Sequence, residues 1–146
     1  MNIKSNNSVQ TTGGCLCGAV RYEIHGALLS VLNCHCSKCR RFNGHIGAYT
    51  ATHRDNLIIT CNDGLKWYHS ILDETPNVYR GFCKECGSSL FWDPRQSENI
   101  SITAGSLDEP TNLKTTDHVW VSQKADYYNI DDNLPQHDEG YGRNQE

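Results

Sequence analysis

No stretch of this chain is apolar for long enough to cross a bilayer as a helix, which takes about 20 consecutive residues. The opening Met1–Thr12 segment is polar and rich in Asn and Ser. It lacks both the basic start and the apolar middle of a secretory signal. Concentrated positive charge is absent too: no Lys/Arg block exceeds the short Lys38, Arg40, Arg41 cluster, and the formal net charge is −4. A phosphate-binding groove needs a dense basic surface, so neither nucleic acid nor a membrane is an expected partner. The small basic patch retains the capacity to attract an acidic metabolite. A GxGxxG fingerprint, a GxxxxGK[ST] loop and a G-x-S-x-G elbow are all missing, so nicotinamide, nucleotide and serine-hydrolase chemistry have no motif support. There is no internal repeat beyond recurring cysteine pairs, and no linker. These absences point to one cytoplasmic domain with a modest core, for which 146 residues suffice.

Cysteine is what the chain has in excess, with eight residues. Seven fall into three tight clusters: Cys15-Leu16-Cys17, Cys34-His35-Cys36-Ser37-Lys38-Cys39 and Cys83-Lys84-Glu85-Cys86. Without a secretion signal a disulfide framework is the weaker reading. Cysteines this close make awkward disulfide partners for one another but converge readily on one ion.

Zinc takes four ligands at a Zn–S distance of about 2.3 Å, which sets tetrahedral sulfurs roughly 3.8 Å apart. Cys34, Cys36 and Cys39 can meet at one ion if the chain turns just after a strand. That leaves Cys15, Cys17, Cys83 and Cys86, which together make a closed, structural four-thiolate site stapling the amino-terminal turn to a later hairpin. Spacing alone permits other divisions. The triplet supplies only three thiolates, and a metal with a vacant position is the catalytic pattern. His35 could close it, although a strand directs that side chain to the face opposite Cys34 and Cys36. A remote His118 is the other candidate. Arg40 and Arg41 flank the triplet, either as solvent-exposed residues or as contacts for a substrate carboxylate. Cys61 ends an apolar run and reads as a small buried hydrophobe. His25, His45, His53 and His69 lack ligand-spaced partners. Phe42, Tyr49, Trp67, Phe91, Trp92 and Trp120 read as core or pocket wall.

The alternation in 19–24 predicts a strand with one buried face. Further short strands are expected over 28–33, 46–51, 57–61, 65–71, 78–82, 88–92 and 100–104, with an edge strand at 118–121. A short helix is expected near Glu109. Strands broken by Gly and Pro indicate an all-β or β-dominated fold of small sheets, tied together by metal. Residues 1–12 are expected as a flexible arm, 13–130 as a single zinc domain, and 131–146 as an acidic, mobile tail.

Three signatures resemble those of the glutathione-dependent formaldehyde-activating enzyme family, also called the CENP-V/GFA domain family. They are Gly13-Gly14-Cys15-Leu16-Cys17-Gly18-Ala19-Val20-Arg21-Tyr22, Cys34 to Arg41, and Phe82-Cys83-Lys84-Glu85-Cys86-Gly87-Ser88-Ser89-Leu90. Gly105-Ser106-Leu107-Asp108, His118-Val119-Trp120-Val121 and Asp131-Asp132-Asn133-Leu134-Pro135 also fit, and Tyr127 stands where many relatives have Trp. The resemblance implies an Mss4-like arrangement of packed small β-sheets holding two Zn2+ per chain. It places Cys15, Cys17, Cys83 and Cys86 at the structural ion and Cys34, Cys36 and Cys39 at the catalytic one.

The activity so implied is carbon–sulfur lyase or synthase chemistry on glutathione-type thiol adducts of formaldehyde or another small aldehyde. Glutathione or a related thiol would then be cosubstrate, and a small-molecule thiol adduct the partner. The alternative is a noncatalytic zinc-supported binding module. Thiolate-rich sites also suit a metal carrier or sensor. Neither the substrate nor the oligomeric state follows from the sequence.

Overall fold

In a computed structural model, residues 8–140 are described. Ten short strands dominate: β1 (Thr11–Gly14), β2 (Arg21–Ile24), β3 (Val31–Cys34), β4 (Gly47–His53), β5 (Leu57–Cys61), β6 (Leu65–His69), β7 (Val78–Cys83), β8 (Ser89–Pro94), β9 (Asn99–Thr103) and β10 (Thr115–Val119). One α-helix, α1 (Ser37–Asn43), follows β3. Among the described residues, no helix is long and apolar enough to cross a membrane.

The strands form two sheets. β1, β2 and β5 make a three-stranded antiparallel sheet. The other seven run in the order β10-β3-β4-β9-β8-β7-β6. Only the β10–β3 pairing in that sheet is parallel. On β2 the alternation works as expected: Tyr22 and Ile24 are buried, while Arg21 and Glu23 are half-buried. β9 is buried along its whole length, as a strand covered on both faces must be.

The main core draws Val20, Tyr22 and Ile24 from the smaller sheet's side and Leu90, Phe91, Ile100 and Ile102 from β8 and β9. Tyr22 meets Phe91 edge-on at 5.4 Å between ring centroids, joining the two sheets through aromatic contact. A second cluster gathers Cys34, Cys36, Cys39, Tyr49 and Val119, with Trp92 and Trp120 packed against it. The fold is therefore β-dominated, with small sheets assembled around two cysteine clusters.

Two local expectations are corrected. Thr11 and Thr12, placed in the flexible arm, pair with Ile24 and Glu23 as part of β1; residues 1–7 lie outside the described residues. No helix forms near Glu109, where a cis Glu109–Pro110 bond leads into an irregular segment, with Asn112 at φ 57°, that reaches β10. The described part of the acidic tail makes hydrogen bonds to β10 and the residues after it. Pro135 O accepts from the His118 amide, the His137 amide donates to His118 O, and His137 Nε2 meets Asp117 at 2.8 Å. The two backbone bonds pair the amide and carbonyl of His118 on the outer edge of β10, which would otherwise lie open.

Candidate metal centres

Two turns of similar design build the first centre. The Cys15-Leu16-Cys17-Gly18 turn links β1 to β2, and the Cys83-Lys84-Glu85-Cys86-Gly87 turn links β7 to β8. In each, the glycine after the second cysteine has positive φ, 87° at Gly18 and 80° at Gly87, which lets the chain curl back around sulfur. Backbone amides complete the curl: the Val20 N–H donates to Cys15 Sγ at 3.2 Å, and the Gly87 N–H to Cys83 O at 2.8 Å. The four sulfurs lie within 4.8 Å of one another. Cys15–Cys17 and Cys17–Cys83 are separated by 3.7 and 3.8 Å. That is the edge of a tetrahedron with ~2.3 Å metal–sulfur bonds, and far beyond a disulfide at about 2.05 Å.

The second centre depends on α1. Cys34 is the last residue of β3, Cys36 is the helix N-cap, and Cys39 sits in the first turn. Cys36 Sγ accepts the Cys39 N–H at 3.3 Å, doing the capping that Ser or Asp usually does. The three sulfurs lie within 4.8 Å of one another, and all three residues are buried. The sequence required a turn after the strand; the structure makes it a capped helix ended by Gly44.

Crowded thiols perturb one another strongly. Bonds from Cys34 and Cys39, together with backbone amides, hold Cys36 far below the ordinary thiol range. The same contacts, with Cys36 and Cys39 as the causes, and burial drive Cys34 far above it. In the outer cluster the Ser88 hydroxyl and amide bring Cys86 down to about 5, while Cys17 is pushed up to about 12 by burial and its three cysteine neighbours, against the Ala19 amide. Each cluster can thus carry only part of its full thiolate charge without a cation, and a bound divalent ion would remove the conflict by displacing the remaining protons. The donor sets and spacings fit zinc.

Histidines do not close the triplet. His35 Nδ1 meets the Tyr128 hydroxyl at 2.6 Å, and its Nε2 meets His118 Nδ1 at 2.8 Å. His118 Nε2 in turn lies 2.9 Å from both oxygens of Asp132. With Asp132 ionised, the protons order themselves: Tyr128 donates to His35, His35 to His118, and His118 to Asp132. All four ring nitrogens are engaged, so the two histidines considered as a fourth ligand serve as a hydrogen-bonded strut. Among the described residues, no other His, Cys, Asp or Glu joins the three sulfurs.

The two arginines that flank the triplet differ in burial. Arg41 is exposed. Arg40 is half-buried, with its Nε buried and lacking a hydrogen-bond partner. The guanidinium bonded to a triplet sulfur belongs instead to Arg80 on β7, whose Nη1 and Nη2 lie 3.7 and 3.8 Å from Cys39 Sγ. Sequence reasoning passed over Arg80, although a signal existed: it shares the inward phase of β7 with Val78, where a charge is out of place. Tyr128 was also missed, and its link to His35 spans 93 residues. Cys61 is half-buried, its thiol donating to Ala19 O at 3.4 Å, in neither cluster.

Residues 10–123 match the family model described as glutathione-dependent formaldehyde-activating enzyme. A protein of Halomonas elongata bearing that same description as a provisional name is 30% identical over 127 residues, covering 82% of this chain and 80% of its own. The fold is similar to a crystal structure of a Rhodobacter sphaeroides protein with a TM-score of 0.57 at 21% identity, covering 86% of this chain and 98% of the other.

Proposed function

The chain belongs to the glutathione-dependent formaldehyde-activating enzyme family, and on that basis we propose that it is a zinc-dependent carbon–sulfur lyase or synthase acting on glutathione-type adducts of formaldehyde or another small aldehyde. The observation that carries this reading is the incomplete donor set at the triplet: three sulfurs converge, and the nearby histidines are bonded elsewhere. Zinc held by Cys34, Cys36 and Cys39 supplies a soft cation able to keep a fourth sulfur as thiolate at neutral pH. The other four cysteines are assigned to a structural zinc.

In the synthetic direction the substrate sulfur attacks the aldehyde carbon. One C–S bond forms, the carbonyl π pair moves to oxygen, and that oxygen takes a proton. The thiol and aldehyde become a hemithioacetal with no change of redox state. Arg40 suits the role of binding a glutathione carboxylate, because its buried Nε has no partner of its own and a carboxylate would provide one. Arg41, being exposed, has the weaker claim.

The test is turnover of glutathione and formaldehyde by zinc-loaded protein, with Cys36→Ser as comparison. Acceleration over the spontaneous reaction, lost in Cys36→Ser, is the expected result. A rate equal to the uncatalysed one across a panel of thiols and aldehydes rejects the catalytic reading. The burial of all three triplet cysteines favours a second reading, a noncatalytic zinc-supported binding module, and thiol binding without turnover would select it.

A further inference from the structure

Arg80 is the largest fully buried side chain of the molecule's described part, 2% exposed. A buried guanidinium is costly, and an apolar side chain of similar volume usually serves a core at least as well. Its surroundings therefore bear on its purpose. Nε donates to Ser70 Oγ at 3.2 Å and to Asp73 at 3.3 Å; Nη2 reaches both Asp73 oxygens at 3.1 Å. The guanidinium carbon lies over the Phe42 ring, 5.3 Å from its centroid. One edge of the fork is left, and both nitrogens on it converge on Cys39 Sγ. Nη1 has that sulfur as its acceptor. Asp73 and Ser70 hold the far side of the guanidinium, so the cation cannot swing away from the sulfur without losing them.

We propose that Arg80 is a positioning residue of the three-cysteine site, acting through Cys39: the forked donation makes Cys39 the weakest donor of the three sulfurs and leaves a bound metal more electron-poor, and so more receptive to a fourth sulfur. This rests on reading the triplet as an open metal site. Three thiolates otherwise quench a metal's appetite for further donors, which is a handicap for a site that must capture a substrate thiol. Hydrogen bonds to ligand atoms are the usual way a protein tunes such a metal, and losing one typically changes affinity 10- to 100-fold. A lysine cannot reproduce the effect in full, because it offers a point charge in place of two donors in a fixed plane.

Cadmium-113 NMR of the fully loaded protein tests this without reference to turnover. The two centres have different donor sets and give separate signals, so the four-cysteine signal is an internal standard. In Arg80→Met the triplet signal should move downfield as Cys39 donates more strongly, with the standard unmoved, and glutathione titrated into the loaded protein should bind the triplet about tenfold more weakly. Arg80→Lys should fall between the two. Asp73→Asn removes the ion pair but keeps an acceptor for the guanidinium. It should lower thermal stability while leaving the triplet signal near its wild-type position, which separates loss of the ion pair from loss of the bond to Cys39. An unmoved triplet signal and unchanged glutathione affinity in folded Arg80→Met overturn the proposal. If that variant does not fold, Arg80→Lys decides alone: a downfield shift supports the assignment and an unmoved signal overturns it. A wild-type protein that shows no triplet signal refutes the open-metal reading itself, a different failure from Arg80 having no influence.

Discussion

His35 occupies the position between two ligand cysteines, yet its ring is turned away from them into the Tyr128–His118–Asp132 chain. Burial, then the neighbouring His118, Lys124 and His45, lower its pKa to about 4, with Asp132 opposing them. The consequence for stability has a definite sign. The unfolded chain takes up the proton near pH 6.5, whereas the folded ring refuses it until about pH 4. His35 therefore withdraws stability as pH falls from about 6.5 to about 4 and contributes no pH dependence above that window. Denaturant titrations at pH 7, 5.5 and 4.5 should show wild type losing stability faster than His35→Gln. The comparison cancels acid-driven metal loss, which both proteins share. Equal slopes would mean the ring is not shielded as described. The lesson at this scale is that chemistry-bearing residues with distant partners do not show their roles in spacing. Arg80 meets Cys39 across 41 residues, and His35 meets His118 across 83.

At the scale of elements, α1 was not expected because seven residues are too few to display a helical period, and its cap is a cysteine rather than Ser, Thr, Asp or Asn. The same cysteine signals metal, and the metal signal hides the helical one. β-strands fared better, since alternation needs only four or five residues to show. The run 57–61 coincides with β5, and the others differ from the observed strands by a few residues at their ends. The turn between β5 and β6 makes its own prediction. A Cβ at Gly64 would lie 2.7 Å from Cys83 Sγ and 2.9 Å from the Ala19 Cβ. Gly64→Ala should displace Cys83 and weaken metal binding at the four-cysteine centre, leaving the triplet's affinity near wild type. Competition with a chromophoric chelator, resolving the two ions, checks it. Equal weakening at both centres would show that the substitution acts through the whole fold.

For the molecule as a whole, the four-cysteine centre is a clamp between sheets. Cys15 and Cys17 follow a strand of the smaller sheet, and Cys83 and Cys86 belong to the β7–β8 hairpin of the larger one. Beneath the clamp lies the core shared by both, with Tyr22 against Phe91. Phe91→Ala should cost about 3–5 kcal/mol in chemical denaturation, the usual range for a large aromatic removed from a closed core. Cys83→Ser should lower the melting temperature more than Cys36→Ser, because the first breaks a link across 66 residues while the second disturbs a local turn and helix cap. A chelator should accordingly unfold the protein when it strips the outer ion, and leave the fold standing when it removes only the triplet's. Circular dichroism followed against metal release distinguishes the two steps.

Residue order alone determined the grouping of seven cysteines into a triplet and two pairs, because ligands a few positions apart are held together by the chain itself. It also determined the β-dominated class, since strand alternation is written locally. The tertiary structure decided what each group has for company. It brought the two pairs within 4.8 Å of one another, turned His35 and His118 away from the triplet, and set a buried guanidinium against Cys39. Those outcomes depend on which strands lie side by side and which faces they bury. Such choices are made by packing across the whole domain, where residues far apart in sequence become neighbours.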